Sequence, residues 1–125
     1  MINTNNNNKG NGIENLSEEE ILKRYPYFYE THLHTSSASR CGRSTPEEMV
    51  MACKAYGYTG IIITEHNWGG NTCIDGNLPW GEYVEKFCVG YEKAKAKGDE
   101  TGLDVFFGWE AGYNGTEFLI YGLDV

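Results

Sequence analysis

The 125-residue chain is short of basic residues and of long apolar segments, and each shortage argues against a class of protein. Ten Lys and Arg stand against 18 Asp and Glu, which gives a formal net charge of −8. That balance argues against a strong nucleic-acid surface, because binding to phosphate backbones depends on basic side chains. No apolar run approaches the ~20 residues that a membrane-spanning helix needs. The length allows at most one domain.

Cysteine is also sparse and irregularly spaced. The four cysteines form no CxxC pair, which favours reduced thiols in a cytoplasmic protein. The N-terminus has no apolar core of a signal peptide. Residues 1–14 are instead rich in asparagine, and we predict that this low-complexity tail is disordered. We therefore expect a cytoplasmic protein with no membrane partner and a folded domain over residues 15–125.

Strand and helix patterns alternate through that domain. A capping box from Ser17 to Glu20 predicts a short helix. Strands are predicted over 27–34, 60–64, 103–109 and 117–121, and two main helices begin near Pro46 and Pro79. The first is predicted to bury Met49, Ala52, Cys53 and Tyr56, and the second Trp80, Tyr83, Val84, Phe87, Tyr91 and Ala94 before ending at Gly98. Such alternation predicts an α/β fold of parallel units with function at the carboxyl ends of the strands.

Metal-ligating side chains follow three successive strands. His32 and His34 end the first strand and, two residues apart, face the same side of it. His66 follows the buried second strand and Glu110 the third. Each is ambiguous alone, since an HxH pair or a histidine at a strand end is often structural. Together they predict a metal site, and neutral imidazole suits Zn, Fe, Mn or Ni.

Neighbouring residues leave alternatives open. Glu65 could orient an imidazole as a supporting carboxylate. The serine-rich loop before the first main helix contains Arg40 and Arg43, which could bind phosphate, pair with Glu110 or lie in solvent. Cys41, in the same loop, is either a soft metal ligand or a plain thiol.

These segments resemble the polymerase and histidinol phosphatase (PHP) family of metal-dependent phosphoesterases. The resemblance rests on His32-Leu33-His34-Thr35, on Thr64-Glu65-His66 and on Gly108-Trp109-Glu110, with 118–124 similar to the family's fourth strand. It implies the N-terminal portion of a distorted (β/α)7 TIM-like barrel, with about four parallel-type strands and two main helices. It also implies two or three divalent metals (Zn, Mn or Fe). His32, His34 and Glu110 would hold one, Glu110 would bridge to a second, and His66 would bind a third.

The implied activity is hydrolysis of a phosphomonoester, such as histidinol phosphate, or of a nucleotide phosphoester by metal-activated water. The chain departs from the family at Glu65, where most members have Asp, and at Ser39 and Arg40, where many have a ligand. No histidine follows His66, so the later ligands have no counterpart. We therefore expect a domain truncated at its C-terminus, whose partner is the missing half or an oligomer. Alternative functions are a non-catalytic metal-binding or interaction module and an amidohydrolase-type hydrolase.

Overall fold

Three helices and four strands lie within residues 16–125, the part of the chain that the computed structural model describes. In chain order they are α1 (Glu18–Arg24), β1 (Tyr29–Leu33), α2 (Pro46–Ala55), β2 (Gly60–His66), α3 (Trp80–Thr101), β3 (Asp104–Tyr113) and β4 (Thr116–Tyr121). The disorder predicted for 1–14 concerns residues outside this range. None of the described helices is long and apolar enough to cross a membrane.

The strands form one sheet in the order β1-β2-β3-β4. β1 and β3 both run parallel to β2, as expected when a helix connects successive strands. β4 runs antiparallel to β3, because Asn114 and Gly115 have φ of 48° and 75° and close a tight hairpin instead of a crossover. The fold prediction of a half-barrel with two main helices is confirmed, and its fourth strand is corrected from parallel to antiparallel.

The sheet curls, and its helix-facing side holds the main core. On the opposite, concave face the Tyr121 hydroxyl of β4 donates to the Thr31 carbonyl of β1 at 2.6 Å, which brings the two outer strands together. Residues of the three parallel strands, of α2 and α3 and of the turn before β3 form the core: Leu33, Val50, Cys53, Ile61, Ile63, Ala94, Leu103 and Val105. Side chains on the concave face are not used by this core and are therefore available to form a functional site.

α2 buries only part of the face that was predicted. Its capping box forms at Thr45 and Glu48. Of the predicted residues, Cys53 is buried and Met49 packs against the core while partly buried, and the other buried residues are Pro46 and Val50. Ala52 and Tyr56 are exposed on the flank that lines a groove beside β1. β1 is an outer strand of the sheet. No further strand among residues 16–125 therefore lies beyond β1 to cover this flank of α2.

α3 extends past Gly98 to Thr101, where the sequence predicted an end at Gly98, and Trp80 at its start is exposed rather than buried. A Cβ at Gly98 would lie 2.5 Å from Val105 Cγ2, so glycine here allows the helix to pack closely on β3. The helix ends at Gly102, which has a left-handed φ of 72°.

Candidate metal centre

The end of β1 is fixed to β2 through a single hydroxyl. Thr64 Oγ1 accepts from the Leu33 amide at 2.8 Å and donates to the Leu33 carbonyl at 3.2 Å. Leu33 itself points into the core beneath the helices. Because neighbouring strand residues point to opposite faces, His32 and His34 are directed to the concave face.

Three ligand atoms converge there, from β1, from the residue after it and from β3. His32 Nε2 lies 2.8 Å from His34 Nε2 and 2.6 Å from Glu110 Oε2, and His34 Nε2 lies 3.4 Å from the same oxygen. Each nitrogen of a neutral imidazole either carries the N–H or has a lone pair. A single N–H shared among these three atoms cannot pair all of them, whereas one cation can accept a lone pair from each. The cluster therefore has the composition of a cation site.

His66 approaches the other oxygen of the same carboxylate. His66 and Glu110 are directly paired in the β2–β3 register, and His66 Nδ1 lies 2.7 Å from Glu110 Oε1. The contact is close but is not aligned as a hydrogen bond. Glu110 is 3% exposed, and its Oε1 has no hydrogen-bond partner among the described residues. A buried carboxylate oxygen without a donor is costly, and a cation would remove that cost.

The spacings fit a first-row divalent metal. Bonds of ~2.1 Å place adjacent ligand atoms about 3.0 Å apart in an octahedron and about 3.4 Å apart in a tetrahedron. The distances from His32 and His34 to Glu110 Oε2 are 2.6 and 3.4 Å, close to that range. The donor set of imidazole and carboxylate is the one that Zn, Mn and Fe accept. The residues present therefore fit the cation that the sequence predicted.

The electrostatics of His34 favour its neutral form. Burial lowers its pKa, and the nearby imidazoles of His66 and His32 lower it further, while Glu110 opposes them. A neutral imidazole is the form that binds a metal. The lowered pKa of His34 thus favours the form of this side chain that can coordinate a cation.

Glu65 does not orient an imidazole, contrary to the supporting role that the sequence suggested. It continues the helix-facing row of β2, and its carboxylate accepts from the Thr35 amide, the Thr35 hydroxyl and the Ser39 hydroxyl. Burial raises its pKa and these hydrogen bonds oppose the rise. Ser39 Oγ also accepts from the His66 amide at 2.9 Å, so Glu65 fixes the loop after β1 to β2.

The loop arginines lie outside the ligand cluster. Both are exposed. Arg40 Nε donates to the Thr72 carbonyl at 2.7 Å, which ties it to the loop after β2. Neither arginine forms an ion pair with Glu110 in the described part of the chain. The pairing of Glu110 with an arginine, one of the alternatives, is therefore wrong.

The sequence reading missed Glu117 as a potential ligand. This exposed side chain on β4 groups with His66 and Glu110. A signal existed, because a tight Asn114-Gly115 hairpin pairs Glu117 with Gly112, two residues beyond Glu110. β4 carries no lysine, the residue that the amidohydrolase alternative would need.

Comparisons with known proteins identify the family and the fold. A family model described as the PHP domain matches residues 30–121. The fold is similar to that of a proposed metal-dependent phosphoesterase from Bifidobacterium adolescentis, with a TM-score of 0.51 and 19% sequence identity. The match covers 74% of this chain and 26% of that one, so the chain spans about a quarter of its neighbour's length. No match is found among curated proteins. With the family model covering most of its length, the chain belongs to the PHP domain family.

Proposed function

We propose that the chain carries the metal centre of a metal-dependent phosphoesterase that hydrolyses a phosphomonoester or a nucleotide phosphoester. The observation that carries this proposal is the convergence of three imidazoles on both oxygens of the buried Glu110. The family match and the fold of the phosphoesterase neighbour support it.

Each residue has a distinct role in this proposal. His32, His34 and Glu110 would hold one divalent cation (Zn, Mn or Fe), and His66 with Glu110 would hold a second. Divalent cations would supply Lewis-acid stabilisation of the phosphoryl oxygens and activation of the attacking water. The protein contributes ligand orientation through the Thr64 hydroxyl, which holds the end of β1.

Arg40 and Arg43 are proposed to bind the phosphate of the substrate. The chain has a net charge of −8, so a phosphorylated ligand needs local positive charge to approach. Arg40 is held by the Thr72 carbonyl through its Nε, which leaves its terminal nitrogens to form charge-assisted hydrogen bonds. Arg43 precedes the N-terminus of α2, where backbone N–H groups also favour an anion.

Hydrolysis of p-nitrophenyl phosphate with added Mn²⁺ tests the proposal. Turnover above background that requires Mn²⁺ and disappears in Glu110→Gln is expected. Arg40→Gln should raise KM more than it lowers kcat, because it removes a binding contact and leaves the metal ligands in place. Turnover that survives chelation, or that is unchanged in Glu110→Gln, would contradict the proposal.

A non-catalytic metal-binding or interaction module is the second candidate. It is favoured by the exposure of the site: the His32 side chain is 49% exposed, and the groove beside β1 is lined by exposed Ala52 and Tyr56. A partner that adds a strand to the sheet at β1 would cover the His32 side chain and the groove. That partner would be another polypeptide or a second copy of this chain. Metal binding with only background turnover in the same assay would favour this candidate. The cytoplasmic location stays a prediction.

A further inference from the structure

Three aromatic side chains near the carboxyl edge of the sheet contact one another and leave two indoles exposed. Trp68 lies in the loop after β2, and Trp80 begins α3. Their ring centroids are 5.8 Å apart, and the two rings pack on Tyr83 at 5.3 and 5.8 Å. Trp68 and Trp80 are 51% and 61% exposed, whereas Tyr83 is 1% exposed. The three residues form an aromatic platform, in which a buried ring supports two exposed ones.

The outer side of the platform presents flat apolar surface to solvent. Trp80 and Tyr83 are stacked with 8° between their ring planes, so Tyr83 covers one face of the Trp80 indole. Because that side chain is still 61% exposed, its exposed area lies on the opposite face and on the edges. Contiguous exposed apolar surface often marks a binding site, and a flat ring is the ligand shape that covers an indole face.

A tight turn fixes Trp68 beside the metal centre. The Gly70 amide donates to the Asn67 carbonyl at 2.9 Å, and Gly69 has a φ of 82°, the conformation that the third residue of a type II turn requires. Trp68 therefore stands at the corner of this turn. A Cβ at Gly70 would lie 3.7 Å from His66 Nδ1, so the turn folds back onto a proposed metal ligand.

The same loop also holds Arg40, the proposed phosphate ligand. The Arg40 amide donates to the Asn71 carbonyl at 3.0 Å, and its Nε donates to the Thr72 carbonyl at 2.7 Å. Trp68 is two residues from His66, so their α-carbons are at most about 7 Å apart. A phosphate at the metal centre and a ring on the platform would therefore be neighbours, as are the phosphate and the base of one nucleotide, which a single sugar joins.

We propose that the aromatic platform binds the base of a nucleotide whose phosphate lies at the metal centre. This rests on the proposed function and favours a nucleotide phosphoester over other phosphomonoesters as the substrate. Every base stacks on aromatic side chains, because each has a π-face. Stacking needs no basic surface, so this subsite is compatible with the net charge of −8. Trp68 and Trp80 are then specificity-determining residues that contact the base and leave the chemistry to the metal centre.

Calorimetry of the Mn²⁺-loaded chain with two phosphonate analogues tests the platform. One analogue is that of adenosine monophosphate and the other that of ribose 5-phosphate; in each a methylene replaces the ester oxygen and prevents hydrolysis. Only the first has a base, and the wild type should bind it about five- to a hundredfold more tightly, the range expected for one stacked base. Trp68→Leu should reduce this preference and leave the affinity for the ribose analogue unchanged. Trp68→Phe, which keeps a ring, should retain most of the preference.

Tyr27→Leu is the matched control for these variants. Tyr27 is also an exposed aromatic residue, at 75%, but it precedes β1 at the opposite edge of the sheet, so this variant should keep the wild-type preference. Indole fluorescence of the wild type needs no variant. Two of the three tryptophans of the chain lie in the platform, so the adenosine analogue should quench the emission and the ribose analogue should not.

The possible failures are distinguishable. Equal affinity of the wild type for the two analogues, or a preference that survives in both Trp68→Leu and Trp80→Leu, would overturn the platform and leave the metal centre intact. An equal loss of affinity for both analogues in these variants would identify a structural role of the indoles and would also overturn the subsite. If neither analogue binds and Mn²⁺ gives no rise in Tm, the proposed function fails together with the platform.

Discussion

Replacing Glu110 with glutamine separates metal binding from folding, because it keeps the size of the side chain and removes its charge. The carboxylate is 3% exposed and contacts His32 and His66 at 2.6 and 2.7 Å. Glutamine would place an amide N–H₂ where one of those oxygens lies, and an amide nitrogen is no metal ligand. We therefore expect a folded variant with weakened cation binding.

The magnitude follows from ligand linkage. A cation at 100 times its Kd stabilises the folded chain by about 2.7 kcal/mol. Loss of a supporting residue around a metal typically raises Kd by about ten- to hundredfold, and loss of a direct ligand should cost no less. With Kd raised a hundredfold, the same cation concentration leaves only about 0.4 kcal/mol. The difference corresponds to a change of about 10 °C in Tm for a domain of roughly 100 residues.

Thermal unfolding with and without Mn²⁺ or Zn²⁺ measures this effect directly. The wild type should show the full metal-dependent rise in Tm, and Glu110→Gln a small fraction of it. Glu100→Gln is the matched control, because Glu100 is exposed on α3 and pairs with Lys97 at 2.9 Å, and it should respond like the wild type. An undiminished rise in Tm for Glu110→Gln would refute the assignment of this carboxylate as a ligand.

Three further changes have defined outcomes. His32→Ala should lower the metal content measured by elemental analysis while changing the metal-free unfolding energy by less than about 1 kcal/mol, because its side chain is 49% exposed. Thr45→Ala removes the cap of α2, whose hydroxyl accepts from the Glu48 amide, and should cost about 0.5–2 kcal/mol in urea unfolding. Gly98→Ala should cost about 1–3 kcal/mol in the same assay, because its Cβ would lie 2.5 Å from Val105 Cγ2; no loss would mean that α3 shifts freely on β3.

Features with local signals were predictable from the sequence. The capping boxes at Ser17 and Thr45 depend on residues three positions apart, and the hairpin after β3 depends on the adjacent pair Asn114-Gly115. The meeting of His66 with Glu110 follows from parallel strands that end at the same edge of the sheet. In each case the determining residues are neighbours in sequence or share one simple rule of topology.

Features that depend on tertiary packing were not predictable in this way. Glycine is a common helix terminator, yet Gly98 lies inside α3 because β3 passes so close that any larger residue would collide with it. The buried face of α2 is likewise set by what adjoins it. Val50 meets the core, while Tyr56 borders the outer strand β1 and is 85% exposed. Helical periodicity gives the spacing of a buried face but not its direction.

The two buried carboxylates show how the same residue type acquires different roles. Glu65 and Glu110 each come at the end of an apolar run, and the structure shows which neighbours each carboxylate meets. Glu65 points to the helix side, where the Thr35 amide and the Thr35 and Ser39 hydroxyls saturate it with neutral donors. Glu110 points to the concave side and meets imidazoles, and its Oε1 has no donor among the described residues. A carboxylate already saturated with donors has no lone pair directed at a cation, whereas one with a free oxygen does. The face of the sheet, set by strand alternation, therefore decides which glutamate is the ligand.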